Sequence, residues 1–166
     1  MSFSIDGKTV IVTGAANGIG AALARHFAEN GANVMCADID EKSLKKDLGE
    51  TAEDSNGRYF AGDLREKLTL ANLLSATVDA FDRVDVLVNA SRQMATTDPL
   101  DMDDETVEKL LQQNLMTSLR LSQMVAKRMI KQDEEQDHEF AGTIIHLSSI
   151  AARLTGLLYT SDAADE

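Results

Sequence analysis

The chain has 166 residues, which is enough for one domain with a sizeable hydrophobic core. Its net charge of −12 argues against nucleic acids and anionic membranes as partners, because their phosphates would be repelled. The single cysteine excludes an internal disulfide and favours the cytoplasm, and no apolar run is long enough to span a membrane.

The first predicted strand ends in a glycine-rich turn. A β-branched apolar run at residues 10–12 is followed by Gly14, Gly18 and Gly20, and a helical pattern begins near Ile19. In such a unit the first backbone N–H groups of the helix have no partner within it, and the helix dipole adds partial positive charge there. The arrangement predicts a cradle for a pyrophosphate, although three glycines can also simply mark a turn.

Strands and helices then alternate along the chain. After a helix over residues 19–29, the pattern predicts strands at 32–38, 58–63, 84–89 and 142–149. Further helices are predicted at 41–53, between the third and fourth strands, and at 101–132. The helix between the third and fourth strands is expected to place on its apolar face Leu68, Ala71, Leu74, Val78 and Phe81. Alternation of this kind indicates a parallel sheet, and right-handed crossovers give the strand order 3-2-1-4-5.

Candidate functional residues follow the ends of these strands. They are Gly14, Asp38, Asp63, Asn89 and Ser149. In a doubly wound sheet a ligand crevice lies at the carboxyl ends of the strands, where the strand order reverses. The three histidines have neither the spacing nor the neighbours of metal ligands, so no metal site is predicted.

The segment Thr13-Gly14-x-x-x-Gly18-Ile19-Gly20 resembles the cofactor motif of the short-chain dehydrogenase/reductase family, and the resemblance continues through Ser149. It implies a doubly wound α/β (Rossmann) fold and hydride transfer between NAD(P) and an alcohol or ketone. Relatives of this kind include 3-oxoacyl-carrier-protein reductases and hydroxysteroid dehydrogenases, and the complete protein is expected to be a homo-oligomer. The implied cofactor contacts are Gly14, Asn17, Gly18, Ile19, Gly20, Asp38, Ile39, Asp63, Leu64, Asn89, Ala90 and Ser91.

Asp38 closes the second predicted strand and favours NAD over NADP. A carboxylate there can accept both ribose hydroxyls of the adenosine half, whereas a 2′-phosphate would meet a like charge. Neither Asn17 nor Ile39 offers a compensating cation. The alternative is an ordinary surface acid at a strand end.

Asp63 and Asn114 can each be interpreted in two ways. By resemblance, Asp63 and Leu64 hold the adenine, although Asp63 could equally be a turn acid. Asn114 interrupts an apolar helix face, where a buried amide without partners would cost about 1–3 kcal/mol. The resemblance implies that Asn114 bends the helix and holds a water of a proton relay. The alternative for Asn114 is a polar contact between helices.

The remaining catalytic candidates depend on the resemblance. Ser149 would polarise the substrate carbonyl, and Ser91, which stands where the family usually has glycine, is expected to crowd the nicotinamide. The family pairs its catalytic tyrosine with a lysine four residues later, but here Tyr159 is followed by Ala163. Tyr159 also follows Ser149 by 10 residues, where the resemblance implies about 13.

The tail at residues 157–166 resembles the translation of a sequencing adapter. The sequence therefore predicts an incomplete nucleotide-binding domain over residues 1–156, joined to a non-native tail, in which Tyr159 is not catalytic. The alternative is a diverged active tyrosine in a shortened loop. A chain that stops there leaves its fifth strand at an edge and an apolar helix face exposed, so we expect self-association.

Overall fold

A computed structural model describes residues 4–48, 56–95, 100, 105–136 and 141–149. Within these residues strands and helices alternate, as the sequence predicts. The strands are β1 (Thr9–Thr13), β2 (Asn33–Asp38), β3 (Gly57–Ala61), β4 (Val86–Asn89) and β5 (Thr143–His146). The helices are α1 (Gly18–Glu29), α2 (Glu41–Leu48), α3 (Lys67–Phe81), α4 (Thr106–Leu111) and α5 (Thr117–Gln136), with a π-helical turn, the π turn, at Gln112–Met116.

The five strands form one parallel sheet in the order β3-β2-β1-β4-β5. This confirms the predicted doubly wound α/β fold. Thr13 pairs with Asn89, and Asn89 pairs with His146, so β1, β4 and β5 end at one level. The polar residues that follow these strands are therefore brought to one edge of the sheet.

Helices cover both faces of the central strands, so β1 and β4 are completely buried. Side chains alternate between the two faces, and each face has its own core cluster. Val12 and Val88 pack with α1 on one face, while Ile11 and Leu87 pack with α3 and α5 on the other. β-branched residues suit such strands because their branched side chains pack well on a pleated surface.

The apolar face predicted for α3 is partly wrong. Leu68 is 73% exposed, whereas Leu70, Leu73 and Thr77 are buried. Leu74, Val78 and Phe81 are partly buried against the core, as expected. Apolar residues occupy most sides of this helix, so the sequence pattern does not determine which side faces the sheet.

The predicted long helix is divided into α4, the π turn and α5. Val125 and Met129 are buried as predicted, but Val107, Leu111 and Leu115 are each more than half exposed. In the part of the chain that the structure describes, no element covers these three side chains. The first predicted residues of this helix (101–104) and the last ones of the second helix (49–53) lie outside the described residues.

β5 is shorter than predicted and forms an edge of the sheet. Ile145 and Leu147 are 37% and 43% exposed, as expected for an edge strand. No helix within the described residues is both long and apolar enough to cross a bilayer. Self-association and the predicted domain boundary at residue 156 remain predictions.

Candidate functional site

A cleft of about 990 Å³ lies at the carboxyl ends of the strands. We call it the carboxyl-end cleft. Its lining includes every predicted site residue that the structure describes. These residues are Gly14, Asn17, Gly18, Ile19, Gly20, Asp38, Ile39, Asp63, Leu64, Asn89, Ala90, Ser91, Asn114 and Ser149. Tyr159 lies outside the described residues, and the roles of all these side chains remain predictions.

A second, smaller cavity of about 380 Å³ lies between α1, α2 and the sheet. Its walls are mostly small apolar side chains such as Ala24, Val34 and Cys36. It contains none of the predicted site residues. No group of three or more potential metal ligands occurs within the described residues. The carboxyl-end cleft is therefore the candidate site.

The glycine-rich turn is closed against β4 on one side and open on the other. Gly14 has φ +69°, and a Cβ there would lie 2.8 Å from the Cα of Ser91. A Cβ on Gly20 would collide with the carbonyl of Gly14. At Gly18, by contrast, a Cβ would meet no atom within 4 Å. The absence of side chains at Gly14 and Gly20 thus allows the turn to pack tightly against Ser91 and against itself, while the side of the turn at Gly18 faces open space.

Thr13 connects the ends of β1 and β4. Its Oγ1 accepts hydrogen bonds from the N–H groups of Ala90 and Ser91, both at 3.1 Å, and donates one to the carbonyl of Val88 at 3.4 Å. Thr13 belongs to the glycine motif, but no role for it is predicted from the sequence. Its position just before Gly14, at the end of a buried strand, was the available signal.

Asp38 is bonded to the glycine-rich turn. Its Oδ2 accepts a hydrogen bond from the N–H of Ala16, and its Oδ1 accepts one from the N–H of Asp40, both at 3.1 Å. The N–H of Gly62 donates to the main-chain carbonyl of Asp38 at 2.9 Å. The carboxylate is therefore held at the junction of the turn and the ends of β2 and β3.

Asp63 forms an ion pair with Arg65, a residue that the sequence analysis did not select. The guanidinium Nε and Nη2 donate to the carboxylate, with the shortest contact 2.5 Å between Nη2 and Oδ2. These hydrogen bonds hold the pKa of the Asp63 carboxyl below its usual value. An arginine two residues after a turn acid was the available signal, since the two side chains can meet within one turn.

At the other end of the cleft, Asn89 is held by neighbouring side chains. Its Nδ2 donates to the Oγ of Ser122 at 3.1 Å and lies 3.4 Å from Nδ1 of His146. The N–H of Leu147 donates to the main-chain carbonyl of Asn89 at 3.2 Å. Ser149 lies three residues beyond the end of β5 and is exposed at the cleft.

Asn114 lies in the π turn, and its side chain is exposed rather than buried in an apolar face. Its Oδ1 accepts a hydrogen bond from the N–H of Gln93 at 2.8 Å, and its Nδ2 donates to the carbonyl of Gln93 at 2.9 Å. The helix changes from α-helical to π-helical geometry here, and the expected bend remains a prediction. The expected burial of the Asn114 side chain is wrong, because the segment that contacts it is the loop that contains Gln93 and not an apolar helix. Single π-helical turns occur frequently at functional sites.

The family model for "short chain dehydrogenase" matches residues 8–162, which is most of the chain and includes Tyr159. The chain belongs to the short-chain dehydrogenase family. Membership implies a nicotinamide cofactor, NAD or NADP. The expectation of an adapter-derived tail is not tested by this match and remains a prediction.

Several curated short-chain dehydrogenases are similar to this chain. It is 32% identical to "Short chain dehydrogenase/reductase dpchG" of Colletotrichum higginsianum over 165 residues, which cover 96% of this chain and 60% of the relative. It is 31% identical to "D-threitol dehydrogenase" of Mycolicibacterium smegmatis, covering 90% and 55%. It is 32% identical to "Diacetyl reductase [(S)-acetoin forming]" of Staphylococcus epidermidis, covering 87% and 54%. The chain thus spans little more than half the length of these relatives.

Proposed function

We propose that the carboxyl-end cleft binds NAD, and that the complete protein transfers a hydride between the nicotinamide and a small alcohol or ketone. The observation that carries the proposal is the convergence of the glycine-rich turn, Asp38, Asn89 and Ser149 on one cleft. We assign the nucleotide-binding domain to residues 1–156. From the single cysteine, we assign the protein to a reducing compartment such as the cytoplasm.

The start of α1 fits a pyrophosphate. Asn17, the residue before the helix, makes no side-chain cap hydrogen bond, and no acidic side chain lies in the first turn of α1. Free amide groups and the helix dipole favour an anion at this position. Open space beside Gly18 leaves room for the phosphates to approach the main chain. When bound, NAD would supply the hydride acceptor, while these residues bind and orient it.

The position of Asp38 supports NAD rather than NADP. Its carboxylate accepts a hydrogen bond from the N–H of Ala16 in the glycine-rich turn, and we assign to it the adenosine ribose, whose 2′ position carries the extra phosphate of NADP. Two like charges about 4 Å apart repel by about 4 kcal/mol at the effective dielectric constant near a protein surface. Arg65 also lines the cleft, but its guanidinium is already paired with Asp63. A 2′-phosphate would therefore be disfavoured.

The nicotinamide end carries the proposed catalytic residues. We assign to Ser149 the polarisation of the substrate carbonyl. Asn114 holds the loop at Gln93 and, as the family resemblance implies, a water of a proton relay. Two relatives are named for small alcohol or carbonyl compounds, threitol and diacetyl. We propose a substrate of this size.

A second candidate is a dinucleotide-binding module without catalysis. A tyrosine with a pKa near 10 is ionised to only about one part in a thousand at neutral pH, so catalysis needs a nearby cation. Position 163, four residues after Tyr159, is Ala163. This departure from the Tyr-x-x-x-Lys pattern favours the second candidate for the chain as it stands.

Calorimetric titration with NAD and with NADP tests the binding proposal. Asp38→Ala removes a charged acceptor, and one hydrogen bond to such a group is worth about 1.5–3 kcal/mol, so NAD affinity should fall at least about 10- to 100-fold. NADP affinity should rise, because the like charge is removed. Asp40→Ala is the matched control, since it removes a carboxylate two residues away that does not line the cleft. No binding by the unaltered chain, or equal losses in both variants, would contradict the proposal.

Incubation with NADH and threitol-sized ketones, including diacetyl and acetoin, separates the two candidates. Loss of absorbance from the reduced cofactor supports the enzyme. Binding of NAD without turnover supports the non-catalytic module.

A further inference from the structure

The Asp63–Arg65 pair lies in the cleft wall between β3 and α3. Arg65 Nε lies 2.9 and 3.0 Å from the two carboxylate oxygens, and its Nη2 lies 2.5 Å from Oδ2. The main-chain N–H of Arg65 also donates to Oδ1 of Asp63 at 3.0 Å. A planar guanidinium with two donors on one carboxylate fixes the orientation of that carboxylate, which a single point charge does not.

The cleft wall that contains Asp63 and Arg65 is hydrogen-bonded to the π turn. The Nε2 of Gln112, the first residue of the π turn, donates to the main-chain carbonyl of Arg65 at 3.3 Å. Two residues later, Asn114 makes two hydrogen bonds to the main chain of Gln93 on the opposite wall. One five-residue turn is thus connected to both walls of the cleft. Gln112 is hydrogen-bonded to the wall that contains Asp63, and Asn114 is hydrogen-bonded to the wall that follows β4.

The ion pair has a further consequence for charge. Asp38 and Asp63 both line a cleft that must accept two phosphates, and each carboxylate repels them. Arg65 offsets the charge of Asp63 without contacting Asp38 in the hydrogen bonds and ion pairs of the described residues. Exposed ion pairs contribute little to folding, and both partners are about one-third exposed. Stability alone therefore does not account for so close a pair at this position.

We propose that Arg65 and Gln112 are positioning residues for the adenosine half of the dinucleotide. Arg65 holds the Asp63 carboxylate in a fixed orientation and balances its charge. Gln112 holds the main chain of Arg65 against the π turn. The proposal rests on the proposed function, because it assumes that the adenosine half binds beside Asp63.

Calorimetric titration of the full chain with NAD and with 5′-AMP tests the role of Arg65. Arg65→Ala should weaken binding of both ligands about tenfold, because a charge-assisted two-point contact is lost. Arg65→Lys keeps the charge and loses the two-point geometry, so it should restore less than half of the loss. Lys67→Ala, two residues away and outside the cleft lining, should leave both affinities within twofold.

Gln112→Ala should weaken binding of NAD and 5′-AMP about threefold, since it removes one long hydrogen bond. Gln123→Ala, on an exposed position of α5, is its matched control. In the Arg65→Ala/Gln112→Ala variant, the combined loss should be smaller than the product of the single losses, because Gln112 acts on binding through the position of Arg65. Melting temperatures of all variants should remain within about 3 °C of the unaltered chain.

The outcomes separate this inference from the proposed function. If the unaltered chain binds neither NAD nor 5′-AMP, the proposed function fails. If it binds both and Arg65→Ala binds them equally well, only the positioning role is overturned. Full restoration by Arg65→Lys, or an equal loss in Lys67→Ala, would show that charge alone acts and would also overturn the positioning role.

Discussion

At the amino ends of β1 and β4, Asp85 accepts a hydrogen bond from the N–H of Thr9 at 2.8 Å and forms ion pairs with Arg83 and Lys8. At the carboxyl ends of the same strands, Thr13 and the glycine-rich turn border an open cleft of about 990 Å³. At the amino ends of these two strands, the polar groups are paired with neighbouring side chains. At the carboxyl ends, polar groups line a cleft that a ligand can enter. The comparison predicts that substitutions at the amino ends change stability and leave binding unchanged, whereas only substitutions at the carboxyl ends also change binding.

Gln132 provides the largest expected effect on stability. Its buried amide accepts a hydrogen bond from the N–H of Val84 and donates to the Val84 carbonyl, both at 2.9 Å, just before β4. Gln132→Ala leaves two buried main-chain groups without these partners, so the free energy of unfolding should fall by about 2–4 kcal/mol. Urea unfolding measures this change, and Gln123→Ala is the exposed control. A Gln132→Ala protein with NAD affinity reduced more than threefold would break the comparison.

Replacing Ser91 should have a smaller effect on the free energy of unfolding, and of the opposite sign. Its Oγ is buried and has no hydrogen-bond partner among the described residues, as is also true of the Thr9 Oγ1 at the other end of the sheet. Removing a buried hydroxyl without a partner should raise the free energy of unfolding by about 1 kcal/mol in Ser91→Ala and in the nearly isosteric Thr9→Val. Thermal unfolding of both variants provides the measurement. Lower stability in either one would mean that its hydroxyl has a partner in solution.

The smallest expected effect is the pH dependence of the Asp63–Arg65 pair. The folded state lowers the pKa of Asp63 below its ordinary value of 3.8, so the pair stabilises the fold fully above that pH. This contribution is lost as the pH falls through the lower folded pKa. Because both side chains are partly exposed, it should amount to less than about 1 kcal/mol.

Carboxyl ¹³C NMR titration of the unaltered chain and of Arg65→Ala measures this pKa directly. Arg65→Ala should raise the Asp63 pKa towards 3.8. Asp40 is the internal control, because hydrogen bonds from Ser43 lower its pKa independently of Arg65. An Asp63 titration that is identical in the two proteins would show that the ion pair does not form in solution.

Much of the fold could be predicted from local patterns. The β-branched runs of β1 and β4 are buried on both faces, and such strands appear in the sequence as continuous apolar segments. The glycines after β1 mark the turn because Gly14 requires a positive φ and Gly20 has no room for a Cβ. The polar residues at the strand ends follow from the parallel arrangement, since all such ends meet at one edge.

Other features could not be predicted from local patterns. Gln112 and Gln93 are ordinary polar residues in the sequence, and their significance comes from partners 47 and 21 residues away in the chain. Leu68 and Leu70 are equally apolar, yet only Leu70 is buried, because the packing of α3 against the sheet decides which side faces inward. The predicted burial of Asn114 failed for a similar reason. Helical spacing shows which residues share a face of a helix, but it does not show which segment packs against that face.

The sequence by itself determined the parallel sheet, its strand order and the glycine-rich turn, because each depends on short-range periodicity, chain handedness or the lack of a side chain. Only the tertiary structure decided that one π turn contacts both walls of the cleft, through Gln112 and Asn114. Those contacts join segments that are distant in the chain, and no local pattern encodes their distances. The claim that Asp38 selects NAD would not survive a titration in which the unaltered chain and Asp38→Ala bind NAD equally.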